Sequence, residues 1–436
     1  MEPAPVSFSA YWRLVRGNRN FRLLWLAQIV SELGDWLYSI AIYSLLLELT
    51  GSAKSVALAL VLQVLPQVLI APAAGVVNDR LSRKRVMIAA DLVRAAVVAT
   101  MLLAQSRDLV WLIYVLLFAE TLMWAFFEPA RSAVIPGITR GPEMLVANTL
   151  SSTTWSFNLA VGSAVCGVVA VAFGRNAVFA INALSFLGSA VLIRAMHFEE
   201  PHVAGAPAMR PRDLMDFSPV VEGFRYITRD ARLLATLLVK AGLGFMGTNW
   251  VIVPILGERV FPVSLGRLDP RRAGMLGMSL LMGARGVGAL IGPLVSGRWA
   301  GQSEPRLRTG ILYGFLAGTA GYLALGASFS MWMAFAAVVL AHAGGSTIWV
   351  FSTTLLQTQT EDRFRGRVFS ADYSFLVLTM SLVSYLAGIL IDFGLSPQQL
   401  AALTGVLGIG PAIAWTLALR LWKEPAPASV ADDGNL

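Results

Sequence analysis

The sequence predicts an all-α integral membrane protein with twelve transmembrane helices in two six-helix halves. Of its 436 residues, 56% are hydrophobic and only 14% are charged, whereas a soluble domain carries roughly 25% charged residues. Apolar stretches of about 20 residues, which is the length needed to cross a bilayer, recur along the chain. The longest polar stretch between them, 197–232, leaves six on either side.

Each predicted span is an apolar run long enough to cross the hydrocarbon core at a helical rise of about 1.5 Å per residue. The N-terminal run is interpreted as the first span rather than a cleaved signal peptide, because it is long and no small-residue cleavage site interrupts it. The twelve spans are placed at residues 21–47, 55–77, 86–106, 109–128, 145–172, 176–196, 233–256, 273–297, 309–328, 331–355, 370–393 and 399–422.

The polar stretch divides the chain into three parts. Residues 1–196 form the predicted N-terminal half, 197–232 a cytoplasmic linker, and 233–436 the C-terminal half. In the linker, Ser218 resembles a helix cap and Pro219 stands at the first helical position. Apolar residues then repeat at helical spacing beside a separate stripe of Arg225, Arg229 and Arg232. This pattern predicts an amphipathic helix lying on an anionic membrane surface.

The net charge of +8 is distributed unevenly along the chain. The N-terminal tail and every second loop after it carry most of the lysines and arginines, beginning with Arg13, Arg16, Arg19 and Arg22. Because cytoplasmic loops are enriched in Lys and Arg, we expect a multi-pass protein of the plasma (inner) membrane with both termini in the cytoplasm. Membrane topology thus accounts for the positive charge, and no nucleic-acid partner is expected.

The composition also disfavours an enzyme or a metalloprotein. The single cysteine, Cys166, excludes a disulfide or a cysteine-based metal site within one chain. The three histidines, His197, His202 and His342, are widely separated and form no ligand cluster. No nucleophile triad and no phosphate-binding glycine loop with a lysine is present. We therefore expect no cofactor, and a membrane enzyme or sensor is the less favoured class.

Span 1 carries a polar stripe on an otherwise apolar helix. Glu32 and Asp35 are three residues apart and so share one helix face, which Gln28 extends by a further turn. Ionisable groups within a membrane span are costly and usually functional. Glu32 and Asp35 are therefore the first candidates for proton coupling, since carboxyl groups facing a cavity can take up and release protons.

Other ionisable or aromatic residues in the spans have two interpretations each. Glu120 in span 4 is a third candidate for proton transfer, or it forms a structural ion pair with Lys240 of span 7. His342 in span 10 is a proton relay or a helix-to-helix hydrogen bonder. Arg285 in span 8 pairs with a carboxylate or binds an anionic substrate. Trp124 contacts an aromatic substrate or simply packs.

Span 3 contains Asp91 and Arg94, which are three residues apart. Side chains at this spacing are neighbours on a helix surface. We interpret them as a local structural pair.

The loop between spans 2 and 3 contains a recognisable motif. Gly75 is followed by Asp79-Arg80 and then by the basic pair Arg83-Lys84, and this order resembles the signature loop of the major facilitator superfamily. Asp79 and Arg83 lie at the cytoplasmic membrane edge, where a charge pair can hold the two halves together on the inside or simply fix topology. These five residues form the predicted cytoplasmic gate.

Further segments resemble the branch that contains the enterobactin exporter and macrolide-efflux-like proteins. They are Phe127-Glu128-Pro129-Ala130 with Pro136, Glu222-Gly223-Phe224-Arg225-Tyr226-Ile227, and Gly366-Arg367-Val368. The resemblance implies the major facilitator fold, in which spans 1, 4, 7 and 10 line a central cavity, and each of those spans carries an ionisable residue here.

The same resemblance implies proton-coupled export of a small amphiphilic molecule, either drug-like or a siderophore, by a protein expected to be a monomer in the lipid bilayer. Uptake or lipid movement by the same fold is the alternative, since charges in a cavity do not fix the direction of transport.

Overall fold

The computed structural model describes residues 8–140, 143–204, 210–263, 269–301 and 303–421. These ranges are helical apart from turns and short connections, and contain no β-strand. The α-helices in chain order are α1 (Phe8–Gly17), α2 (Arg19–Thr50), α3 (Ala53–Arg80), α4 (Arg83–Thr100), α5 (Val110–Ile138), α6 (Glu143–Phe173), α7 (Arg175–Arg194), α8 (Ser218–Ile227), α9 (Ala231–Phe245), α10 (Asn249–Ile255), α11 (Pro270–Ala300), α12 (Glu304–Gly326), α13 (Met331–Gln359), α14 (Asp362–Asp392) and α15 (Pro397–Leu421).

Ten helical segments of the described chain are long and apolar enough to cross a membrane. One of them, Ala231–Val260, combines α9 and α10 with the short turns beside them. The two remaining predicted spans correspond to α2 and α4. Both carry buried or half-buried charged residues, among them Asp35 in α2 and Arg94 in α4, and such residues lower mean hydropathy without preventing a helix from packing inside a bundle.

Several helix ends differ from the predicted boundaries. The segments after spans 4 and 10 were expected to be loops, but α5 continues to Ile138 through Pro129 and Pro136, and α13 continues to Gln359. Proline is tolerated in membrane helices because neighbouring groups satisfy the freed backbone. Conversely, α4 ends at Thr100, before the predicted end at 106. The prediction was too long because the residues after Thr100 are still mostly apolar, so that hydropathy does not mark the helix end.

The two halves contact each other mainly through two helix pairs, α3 with α14 and α6 with α11, with smaller contacts of α2 and α3 to α10 and of α2 to α11. Glycines permit the close approach in both pairs. A Cβ added to Gly388 in α14 would lie 2.7 Å from Ala57 Cβ in α3, and one added to Gly286 in α11 would collide with the backbone of Ala160 in α6. Small residues allow membrane helices to pack closely where no hydrophobic force drives them together.

The linker contains the predicted helix, α8, which begins at Ser218. Its N-cap is Phe217 rather than Ser218, so the predicted capping residue was one position too late. One face packs on α14, where Gly223 lies directly against the carbonyl oxygen of Arg367. Glu222 also pairs with the guanidinium of Arg367 at 2.9 Å. The linker helix is therefore attached to the second half of the molecule.

Candidate translocation site

A buried arginine in the first half is surrounded by carboxylates from three helices. Arg94 in α4 is 1% exposed, and its Nε donates to Glu120 Oε1 in α5 at 2.8 Å. Its Nη2 lies 2.7 Å from Asp35 Oδ2 in α2. Asp91, one turn away on α4, lies 3.8 Å from Nη1. Three carboxyl groups thus share one guanidinium, whose face also lies 4.0 Å from the ring of Phe186.

The members of this acidic cluster (Asp35, Asp91, Arg94 and Glu120) differ in their access to solvent. The Asp35 side chain is 26% exposed, whereas that of Glu120 is 10% exposed and that of Asp91 is fully buried. Asp35 is therefore the most exposed carboxyl group of the cluster. The local Asp91–Arg94 pair expected from spacing is present, but it is the longest of the three ion pairs of Arg94.

A second polar group surrounds Glu32 on the same face of α2. Glu32 Oε1 accepts from Gln28 Nε2 at 2.9 Å, and Oε2 accepts from Asn158 Nδ2 in α6 at 3.0 Å. Gln28 Oε1 in turn accepts from Arg131 Nη1 at 3.1 Å. Arg131 pairs with Glu128, three residues earlier on α5. The amide of Gln28 therefore separates Glu32 from the nearest arginine.

Sequence patterns did not predict Asn158, Arg131 or Glu128 as site residues. Arg131 was assigned to a cytoplasmic loop, but it is buried in α5. The only local signal is the three-residue spacing of Glu128 and Arg131, which predicts a pair on one helix face. Asn158 could have been noticed as an amide within an otherwise apolar span.

In the second half, Lys240 in α9 is buried against α14 and α13. Its Nζ lies 3.6 Å from Asp372 Oδ2 and donates to Thr353 Oγ1 at 3.0 Å. The ammonium also lies 3.7 Å from the ring centroid of Trp349. The alternative pairing of Lys240 with Glu120 is therefore not formed, because each has a partner within its own half.

Arg285 in α11 and His342 in α13 are in direct contact, each well inside its helix. Arg285 Nε donates to His342 Nε2 at 2.9 Å, and the guanidinium lies 3.7 Å from the ring centroid of Trp250. Trp124 is half-buried on α5, one turn after Glu120. Within the described ranges no ring contact or hydrogen bond connects Trp124 with these polar groups.

The segment 75–84, which runs from the last turns of α3 to the first turn of α4, contacts its own half and the linker. Asp79 is exposed and lies 3.8 Å from Arg83, whose Nη1 donates to the Ala133 carbonyl at 3.0 Å. Arg80 pairs with Asp213 of the linker at 2.7 Å. Lys84 Nζ donates to the Met196 carbonyl and Gly75 has open space around it. The Asp79–Arg83 pair thus joins the end of α3 to the start of α4 and does not join the two halves in this conformation.

Polar contacts also join the two halves at the opposite end of the bundle, which the distribution of Lys and Arg predicts to be the outer side. The Asp392 carboxylate at the end of α14 accepts from the backbone N–H groups of Ala53 at 2.7 Å and Lys54 at 3.1 Å, and from the Ser52 hydroxyl. It therefore caps the N-terminus of α3, where an anion is favoured. Glu48 at the end of α2 pairs with Arg271 of α11 at 3.2 Å.

We expect Asp392→Ala to weaken this outer contact. Because a charged acceptor of three donors is removed at a partly exposed position, the outward-open population should rise roughly fivefold, corresponding to about 1 kcal/mol. Spin labels on cysteines at the exposed outer positions Phe173 and Phe329 would report the change as longer distances, and Cys166 is buried. Asp108→Ala, which removes another exposed carboxylate, should leave the distances unchanged. Equal distributions for both variants would contradict this role of Asp392.

Comparisons with known proteins agree with this architecture. The sequence profile of a family described as transmembrane secretion effector matches residues 12–432. Macrolide efflux protein A of Streptococcus pyogenes is 27% identical over 387 residues, covering 87% of this chain and 90% of that protein. An MFS-type transporter of Bacillus subtilis, YfiS, is 26% identical over 394 residues, covering 87% and 88% of the two chains.

A solved structure shows the same fold. A POT family transporter in complex with 5-aminolevulinic acid superposes with a TM-score of 0.71 at 11% identity, covering 93% of this chain and 97% of its own. This match confirms the predicted fold of twelve membrane helices in two halves. The domain boundaries at 196 and 232 stay a prediction.

Proposed function

The chain belongs to the transmembrane secretion effector family of MFS-type transporters, and we propose that it exports a small amphiphilic molecule in exchange for protons by alternating access. Transport by this protein would be of the secondary active kind, powered by the proton gradient across the cell membrane. The protein would act as a monomer with both termini in the cytoplasm.

The observation that carries this proposal is the acidic cluster around Arg94. With all three carboxyl groups ionised, the cluster holds two more negative than positive charges, and only Asp35 among the three exposes more than a tenth of its side chain. Charges in the membrane interior are costly unless paired. A proton bound at Asp35 or Glu120 would reduce the surplus negative charge around Arg94. Proton binding would therefore depend on how closely the carboxyl groups and Arg94 are held together.

Coupling then requires that the cluster respond to the position of the two halves. Asp35 and Glu32 lie on α2, which also carries Glu48 at the outer contact with Arg271. Movement of α2 when the outer contact opens would change the access of both carboxyl groups to the outside. Protonation from the outside would favour release of substrate, and deprotonation towards the cytoplasm would prepare the next cycle, since a ligand shifts states only by differential affinity.

The direction of transport is proposed from two observations. The relative with 27% identity is named an efflux protein. The contacts of Asp392 and Glu48 hold the halves together at the outer side, which corresponds to a state that would take up substrate from the cytoplasm or the inner leaflet. In the opposite state, we propose that the segment 75–84, with Gly75, Asp79 and Arg83, closes the cytoplasmic side against the second half.

Uptake into inverted membrane vesicles with an imposed proton gradient tests this function. Macrolides, siderophores and lipophilic cations would be offered as substrates to vesicles with and without the protein. We expect protein-dependent accumulation of at least one compound that collapses when a protonophore dissipates the gradient. Protein-dependent movement that is unaffected by the gradient would instead indicate a facilitated carrier or a lipid transporter.

A further inference from the structure

Four cationic side chains of the described chain are buried within the membrane helices, namely Arg94, Arg131, Lys240 and Arg285. The first three each have a carboxylate within 4 Å, from Asp35 and Glu120, from Glu128, and from Asp372 respectively. Among the residues that the structure describes, no carboxylate lies this close to Arg285. A buried cation without a counter-ion is strongly destabilising, so its presence near the middle of a membrane helix indicates that an anion binds there during the cycle.

The immediate neighbours of Arg285 are uncharged. Arg285 is 4% exposed; its Nε donates to His342 Nε2 at 2.9 Å and its Nη1 to Met282 Sδ at 3.4 Å. Because Nε2 accepts this bond, the imidazole proton is assigned to Nδ1, which donates to the Val338 carbonyl at 3.2 Å. His342 is therefore neutral in this arrangement and orients the guanidinium without compensating its charge.

An aromatic row extends from Arg285 across the boundary between the halves. Trp250 of α10 packs on the guanidinium and stacks on Trp36 of α2, with ring centroids 6.3 Å apart and an interplanar angle of 13°. Trp36 in turn forms a T-shaped contact with Trp155 of α6, with ring centroids 5.6 Å apart. These three indoles, the tryptophan row, offer flat apolar surfaces beside the cation, a combination typical of small-molecule sites.

The charge distribution orients a ligand between the two halves. The first half presents Asp35 and Glu32, which would repel an anionic group, while Arg285 on α11 would attract it. A guanidinium matches the planar geometry of a carboxylate and binds it through two parallel hydrogen bonds. The adjacent tryptophans would accommodate an aromatic ring attached to that carboxylate.

We propose that Arg285, oriented by His342 and flanked by the tryptophan row, is the subsite that binds the carboxylate of an aromatic carboxylic acid. This inference rests on the proposed transport function and names the substrate class for it. The acid enters with its carboxylate towards α11 and α13 and its ring against Trp250 and Trp36. Neutral and cationic compounds lack the ion pair with Arg285 and bind more weakly at this subsite.

Equilibrium binding to the full chain in lipid nanodiscs, without a proton gradient, tests the proposal. The probes are anthracene-carboxylic acid and its methyl ester, whose binding is followed by energy transfer from tryptophan. We expect the wild type to bind the acid at least tenfold more tightly than the ester, because a hydrogen bond to a charged group contributes about 1.5–3 kcal/mol. Arg285→Gln should remove this preference, whereas Arg306→Gln, at an exposed cytoplasmic position, should preserve it.

Two further variants keep the test decisive. Arg285→Lys retains the charge and should retain a reduced preference for the acid, and Trp36→Leu should weaken acid and ester alike. Equal affinity of the wild type for acid and ester, which needs no variant, would overturn the proposal. So would an unchanged preference in Arg285→Gln.

Failure of this inference is distinguishable from failure of the proposed function. Gradient-driven efflux of another compound without any preference for the acid would reject the subsite alone. Tight, Arg285-dependent binding of the acid without gradient-driven transport of any compound would reject proton-coupled export and leave the subsite in place.

Discussion

Replacing Asp35 with asparagine is expected to abolish gradient-driven export while leaving the protein folded. Asparagine has nearly the same shape and still offers an oxygen to Arg94 Nη2, which lies 2.7 Å from Asp35 Oδ2, but it cannot exchange a proton. We expect substrate accumulation in inverted vesicles to fall by about 10²-fold or more, the range typical for loss of a positioned proton-transfer group.

The decisive comparison is between net transport and exchange. Substrate-for-substrate exchange across the membrane needs no net proton movement, so Asp35→Asn should retain it. Asp108→Asn, which changes an exposed carboxylate at the outer side, should transport like the wild type in both assays. If Asp35→Asn accumulates substrate normally under a proton gradient, Asp35 has no place in the coupling mechanism.

The second large effect concerns stability. Arg94→Met should destabilise the protein by about 3–5 kcal/mol, because it leaves Asp35, Asp91 and Glu120 without a cation in the membrane interior. For a helical half of roughly 200 residues this corresponds to a decrease in Tm on the order of 10 °C. Tryptophan fluorescence during heating of the purified protein in nanodiscs would measure the change.

A control variant and a double variant that should restore part of the stability accompany Arg94→Met. Arg367→Met removes a guanidinium from a largely exposed pair with Glu222, and such pairs contribute about 0–1 kcal/mol. Adding Glu120→Gln to Arg94→Met should recover part of the lost stability, since one of the uncompensated carboxyl groups is then neutral. Equal Tm values for Arg94→Met and Arg367→Met would show that the cluster does not stabilise the helix packing.

The fold was largely predictable from the sequence, because each membrane span can be recognised from the length and hydropathy of one continuous segment. The family was predictable for a similar reason, since the motif from Gly75 to Lys84 is one continuous stretch of sequence. The predictions were wrong where an apolar or proline-containing run did not mark the end of a helix, as at Thr100 and Pro129.

The functional residues were predictable as types but not as partners. Glu32, Asp35 and Glu120 were singled out because an ionisable group in a membrane span is rare. Their partners lie on other helices: Glu32 contacts Asn158 of α6. Asp35 and Glu120 both contact Arg94 of α4. Local spacing reveals only neighbours on the same helix.

The sequence by itself determined how many times the chain crosses the membrane and most of the charges that lie inside it, Arg131 being the exception. Only the tertiary structure decided which of those charges neutralise each other. That outcome depends on the rotation and close approach of helices far apart in sequence, as where Gly286 meets Ala160 between the halves. For this reason Lys240 has its counter-ion in Asp372, whereas Arg285 has the tryptophan row and His342 beside it.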